Sequence, residues 1–173
     1  MHELILGGAR SGKSALAEQR ALAHGGEVIY IATAQALDAE MAARIAHHRA
    51  RRPTGWRSIE EPLALAEVLR AEAGEQRCLL VDCLTLWLGN LLGHEDEGRF
   101  VREREALLAA LPTLPGRVLL VSNEVGQGVV PMGELSRRFV DEAGRLHQAL
   151  AQQCGRVCLV VAGLPLWLKG AQA

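Results

Sequence analysis

Residues 3–14 read Glu3-Leu4-Ile5-Leu6-Gly7-Gly8-Ala9-Arg10-Ser11-Gly12-Lys13-Ser14. A short apolar run suited to a strand passes straight into a glycine-rich turn, and the turn opens an amphipathic helix predicted over 13–23. From Gly7 onward the stretch matches GxxxxGK followed by Ser or Thr, in the strand–loop–helix setting that phosphate loops require. Glycines let the backbone wrap a phosphate with successive N–H groups pointing inward, and the helix start adds its positive end. Gly7, Gly8, Ala9, Arg10, Ser11, Gly12, Lys13 and Ser14 are therefore predicted to contact nucleotide phosphates. Lys13 is expected to reach the β- and γ-phosphates as a catalytic cation, and the Ser14 hydroxyl to hold Mg²⁺. The competing reading is a glycine-rich turn that fits the pattern by chance.

Outward from this loop, continuous apolar runs at 3–6, 28–32, 78–81, 117–121 and 157–162 alternate with helix-length amphipathic stretches at 13–23, 38–51, 62–73, 85–92, 100–110 and 133–153. Apolar runs without polar alternation are what strands covered on both faces look like. Strands alternating with helices predict an α/β fold, a mostly parallel sheet with helices on both faces. Neither a repeat nor a linker interrupts the pattern, so residues 1–173 are expected to form a single nucleotide-binding domain. The run 78–81 ends at Asp82, placed as a Mg²⁺-supporting carboxylate should be, although an Asp there also suits the cap of the next helix. A second strand end, Val121-Ser122-Asn123-Glu124, brings further polar groups to the same edge without an assigned role.

Composition narrows the partners. The formal charge of -1 supplies no global field for nucleic acid or a membrane surface, and 3% aromatic residues are too few for a base-stacking platform. Met1-His2-Glu3 lacks the basic start of an export signal, and the apolar stretch at 157–168 falls short of a membrane span. A cytoplasmic location is expected. Cys78, Cys83, Cys154 and Cys158 have no CxxC spacing, which favours reduced, buried thiols over metal ligands.

The segment TAQALDAEMAARIAHHRARRPTGW, residues 33–56, carries two adjacent histidines on a predicted helix that Asp38 caps and Pro53 ends. At 100° per residue Glu40, Arg44, His47 and Arg51 share one stripe, while Met41, Ile45 and His48 share its neighbour. His48 therefore reads as a packed residue. His47 sits between arginines one turn away on either side, which would hold its imidazole neutral and bring phosphates to it. A neutral imidazole there suits nucleophilic attack on an α-phosphate; plain solvation of a basic helix is the alternative.

GGARSGKS at 7–14, IATAQALDAEMAARIAHHRARRP at 31–53, LLVDCLTLWLGNLL at 79–92 and LLVSNEVGQGVVPMGELSRRFVDEAGRLHQALA at 119–151 occur in the order and spacing of one family. Together they resemble the bifunctional adenosylcobinamide kinase/adenosylcobinamide-phosphate guanylyltransferases over well over half of the chain. The resemblance implies a RecA-like P-loop NTPase fold and two activities in adenosylcobalamin assembly. The first is phosphorylation of adenosylcobinamide by ATP or GTP; the second is GMP transfer from GTP, through a covalent histidine adduct, to adenosylcobinamide phosphate. It implies His47 as the guanylylated residue, and Ile31, Ala32, Thr33, His48, Arg49, Ala50 and Arg51 as lining of the GTP site. It also matches Glu60 and Asp82 to acidic positions near the nucleotide, with an ordinary exposed carboxylate as the other reading of Glu60. A homo-oligomer, a trimer, is implied as well. For the helix around Arg137, Arg138, Asp141, Arg145 and His147, an interface and plain solvation stay open.

Two rivals account for part of the same sequence. A phosphate-loop kinase of another small alcohol explains Lys13, Ser14 and Asp82 but leaves the His47 helix idle. A GTP-dependent switch protein would read guanine through Asn-Lys-x-Asp, which Asn123-Glu124-Val125-Gly126 does not match.

Overall fold

A computed structural model describes residues 1–35, 39, 53 and 55–170. The apolar runs become strands β1 (Glu3–Gly7), β2 (Glu27–Ala32), β4 (Arg77–Asp82), β5 (Arg117–Asn123) and β6 (Arg156–Val161). Two more strands, β3 (Arg57–Glu60) and β7 (Leu164–Lys169), add the edges of one seven-stranded sheet ordered β3-β2-β4-β5-β1-β6-β7. All pairings are parallel except β6 with β7.

Helices α1 (Lys13–Leu22), α2 (Leu65–Glu72), α3 (Leu84–Leu92), α4 (Glu97–Ala110) and α5 (Glu134–Gln153) flank the sheet. Successive strand residues face opposite ways, so each apolar run feeds two cores. Leu4, Leu79, Val81, Val118 and Leu120 pack with Leu65, Trp87, Phe100 and Leu146, which α2, α3, α4 and α5 supply. Ile5, Cys78, Leu80, Leu119 and Val121 pack on the other face with Ala17 and Ala21 of α1. Helices on both faces explain why the runs lack polar alternation.

Boundaries shift by a few residues at helix ends. The helix expected over 62–73 is confined to Leu65–Glu72, because Glu61 accepts from the backbone N–H groups of Leu63 and Ala64 and holds the entry as a turn. The helix expected over 100–110 starts earlier, at Glu97, where the Asp96 side chain caps it by accepting from Gly98 N. The apolar stretch at 157–168 divides into β6 and β7 at Ala162 and Gly163, whose φ of 52° and 81° turn the chain back on itself. The helix expected over 38–51 lies outside the described residues, apart from Ala39. No described helix is long and apolar enough to cross a membrane.

Candidate active site

With β1 to β6 parallel, the carboxyl ends of β1, β4 and β5 open on one edge, where sheets of this kind bind ligands. Gly7 ends β1 and the chain turns at once into α1. Gly12, with φ of 97°, stands just before the helix; a Cβ there would lie 3.0 Å from Gly163 Cα. At Gly7 a Cβ would lie 2.4 Å from Ser11 Oγ and 2.7 Å from the Val160 carbonyl oxygen. Both positions admit only glycine without displacing backbone. The β6–β7 turn braces the loop, since Gly163 N donates to the Ser11 carbonyl at 2.8 Å.

Lys13, the first residue of α1, is buried, and its ammonium donates to the Gly8 carbonyl at 3.1 Å. Among the described residues, Ser11 Oγ is buried without a hydrogen-bond partner. A sequestered cation held by a neutral carbonyl, beside an orphaned hydroxyl, is a cradle whose groups are suited to an anion. Ser14 follows in the first turn of α1, half-buried.

Asp82 ends β4, one strand beyond β5 from the loop. Its Oδ2 accepts from the Tyr30 hydroxyl at 3.0 Å. It does not cap α3: that helix begins at Leu84, with Cys83 at its cap position and no side-chain cap bond. Both Asp82 and Lys13 lie within electrostatic reach of Cys83. Burial pushes that thiol's pKa up, Asp82 pushes it further, and Lys13 pulls it back.

Thr33, just past β2, is fully buried. Its hydroxyl donates to the Cys83 carbonyl at 2.7 Å and accepts from Cys83 N at 3.0 Å, fixing the backbone directly after Asp82. Asn90 Nδ2 ties the Thr33 carbonyl (2.8 Å) to that of Pro62 (3.1 Å). Ile31 and Ala32 point into the two cores, so their side chains are packing groups of the strand beneath the edge. Glu60 is exposed at the end of β3 and shares a register row with Ala32 and Asp82. His47, His48, Arg49, Ala50 and Arg51 lie outside the described residues.

A polar cluster at the end of β5 is less visible in sequence. Ser122 Oγ lies 2.8 Å from His147 Nε2, and His147 Nδ1 lies 3.8 Å from Glu124 Oε2. Burial lowers the His147 pKa, against an opposing pull from Glu124, so the ring is neutral at pH 7. Of the two readings of the α5 helix, His147 takes neither: it is a buried polar residue facing the strand. Glu124 N donates to the Gly7 carbonyl at 3.0 Å, which joins this cluster to the start of the glycine-rich loop. All four cysteines are free and buried.

The family described as cobinamide kinase / cobinamide phosphate guanyltransferase matches residues 3–168, from the first strand into the last. The chain belongs to that family. Its relatives include the bifunctional adenosylcobalamin biosynthesis protein CobP of Pseudomonas aeruginosa, 68% identical over 98% of both chains. The bifunctional adenosylcobalamin biosynthesis protein CobU of Escherichia coli is 42% identical over 96% of this chain and 98% of its own. Among solved structures, a RadB recombinase superposes with a TM-score of 0.51 at 15% identity, covering 91% of this chain and 73% of its own. That likeness concerns the fold alone, an α/β sheet with flanking helices of the RecA-like kind. The strand ends Gly7, Asp82 and Asn123, each within one of the stretches 7–14, 79–92 and 119–151, lie together on the carboxyl edge.

Proposed function

We propose that this chain is a bifunctional enzyme of adenosylcobalamin assembly, an adenosylcobinamide kinase and adenosylcobinamide-phosphate guanylyltransferase. Its substrates are adenosylcobinamide, adenosylcobinamide phosphate and a nucleoside triphosphate, ATP or GTP for the kinase step and GTP for the transfer. The observation that carries the reading is the glycine-shaped cradle around Lys13 and Ser11 in a member of this family.

In the kinase step the cradle of Gly7, Gly8, Ala9, Arg10, Ser11 and Gly12 holds the polyphosphate by backbone N–H groups. Lys13 leaves the Gly8 carbonyl to neutralise charge on the β- and γ-oxygens. The aminopropanol hydroxyl attacks the γ-phosphorus in line and a nucleoside diphosphate departs. Mg²⁺ fits the hard oxygen donors Ser14 and Asp82, an ion that takes few protein ligands and completes its shell with phosphate oxygens and water. When bound it supplies charge neutralisation on the phosphates. Tyr30 fixes the Asp82 carboxylate, and Thr33 fixes the backbone that follows it.

In the transfer step His47 attacks the α-phosphorus of GTP, pyrophosphate leaves, and a GMP phosphoramidate forms. The phosphate of adenosylcobinamide phosphate then displaces the imidazole, giving adenosylcobinamide-GDP and restoring His47. Arg51 and Arg44, one helical turn either side in sequence, would bind the phosphates while keeping the ring unprotonated. A homotrimer is part of this reading and is checked by light scattering.

The test is to mix the protein with GTP labelled at the α-phosphorus and with Mg²⁺, then map any adduct by mass spectrometry. An acid-labile GMP on His47, absent from His47→Ala and discharged by adenosylcobinamide phosphate, is expected. Phosphorylation of adenosylcobinamide with no protein adduct would leave only the kinase half.

A further inference from the structure

We propose that Asn123 is a further site residue of the phosphoryl-transfer half of the reaction, where its side-chain oxygen orients the attacking alcohol. This rests on the kinase activity proposed above and adds a residue to it.

Strand β5 lies between β1, which carries the glycine-rich loop, and β4, which carries Asp82. Its last residue, Asn123, is in register with Gly7. Side chains alternate along β5: Leu120 joins the core under α2 to α5, Val121 joins the core under α1, and Ser122 reaches back to His147 on α5. Asn123 therefore faces the α1 side, the side on which the loop and Lys13 lie. Its Oδ1 is buried and has no hydrogen-bond partner among the described residues. A buried amide oxygen without a donor costs stability unless something outside the chain supplies one.

The surroundings hold Asn123 in place. Its N–H donates to Thr85 Oγ1 at 3.1 Å, at the start of α3. Ser122 before it is held by His147, and Glu124 after it donates its N–H to Gly7 and accepts from Gly126 N at 2.7 Å. A residue whose backbone is fixed on both flanks, placed on the α1 side by strand alternation and with an amide oxygen lacking a donor, matches the need of an alcohol nucleophile. The hydroxyl donates to Oδ1 while its oxygen forms the new bond to the γ-phosphorus. The bond from that phosphorus to the β,γ-bridging oxygen breaks, the electron pair leaves with the nucleoside diphosphate, and the hydroxyl proton ends on an oxygen of the transferred phosphoryl group. Guanylylation of the protein uses no alcohol, so it makes no demand on Asn123.

Each half-reaction is therefore measured separately on the full-length protein, wild type, Asn123→Ala and Asn123→Asp. The readouts are phosphorylation of adenosylcobinamide at saturating nucleotide, and formation of the GMP adduct from GTP alone. Asn123→Ala is expected to lower kcat for phosphorylation by about 10- to 100-fold, the scale on which misplacing a nucleophile costs rate. Adduct formation and nucleotide KM should change by less than about threefold against that scale. Asn123→Asp keeps an acceptor oxygen and should phosphorylate faster than Asn123→Ala. Equal losses in both half-reactions, as from misfolding or a general binding defect, would overturn the assignment, and so would undiminished phosphorylation. A wild-type protein that phosphorylates no adenosylcobinamide would sink the kinase reading itself, a result distinct from either.

Discussion

Replacing Thr33 by valine removes one oxygen and adds one methyl in nearly the same volume, so it isolates the hydroxyl that clamps Cys83. That hydroxyl makes bonds of 2.7 and 3.0 Å to the carbonyl and N–H of Cys83. Thr33 is fully buried and Cys83 is 5% exposed, so water cannot take over either bond. The Cys83 carbonyl keeps a second donor, Trp87 N at 3.2 Å, so the substitution leaves only the Cys83 N–H unpaired. An unpaired buried N–H at about 2 kcal/mol and one lost hydrogen bond at about 1 kcal/mol should together cost about 3 kcal/mol. For a chain of this size the urea dependence is about 3 kcal/mol per molar, which converts the loss to a drop of about 1 M in the unfolding midpoint. Thr33→Ser is the control: it keeps the hydroxyl and loses a methyl, worth about 1 kcal/mol, so its midpoint should fall about a third as far. Equilibrium urea unfolding followed by far-UV circular dichroism reads both. If serine and valine lower the midpoint equally, packing of the methyl matters and the clamp does not.

Gly12→Ala should lower the melting temperature by about 2–8 °C, because φ of 97° and the 3.0 Å approach to Gly163 Cα strain any side chain there. Calorimetry with and without Mg-GTP tests it, and the variant should also lose the stabilisation that nucleotide gives the wild type. His147 has a folded pKa below its ordinary value, so below about pH 6.5 the unfolded chain takes up a proton that the folded chain resists. Stability should therefore fall as pH drops from 7.5 to 5.5. His147→Gln should show a shallower fall in urea unfolding at the two pH values, with His2, lowered by burial and the N-terminal charge, contributing equally to both proteins. An identical pH slope in the variant would contradict the buried neutral ring. Burial pushes the thiols of Cys78 and Cys158 up to about 11 and that of Cys154 up to about 12. Native protein at pH 8 should therefore resist a thiol-reactive disulfide reagent that labels all four cysteines once unfolded. Rapid labelling of a native thiol would contradict the burial of these four residues.

What could be read from the residues divides along a physical line. β1, β4 and β5 are legible because both faces of each are buried, which writes an unbroken apolar run. β3 is not: Arg57-Ser58-Ile59-Glu60 pairs only with β2 and is exposed at all but Ile59, so its place comes from partner hydrogen bonds and leaves no hydrophobic trace. β7 goes unread because the expected strand ends at Ala162: residues 164–169 follow a turn of Ala162 and Gly163 within apolar sequence, and half-exposed Leu164-Pro165-Leu166-Trp167 writes no buried-strand pattern. The glycine-rich loop is legible because its pattern is local, eight successive residues between the end of β1 and the first turn of α1. The supports are not local. Tyr30 reaches Asp82 across 52 positions, Thr33 reaches Cys83 across 50, and Ser122 meets His147 across 25. One of these had left a mark. The buried residues of α5 are Ala143, Leu146, His147 and Leu150, an i, i+3, i+4, i+7 stripe with an imidazole in an apolar position. A histidine on the buried stripe of a helix calls for a polar partner, and Ser122, Asn123 and Glu124 at one strand end are candidates, as are Thr33 and Asp82 at the ends of other apolar runs. The stripe alone therefore flags His147 as an imidazole that needs a partner, and it is the packing of α5 on β5 that picks Ser122 from the other strand ends.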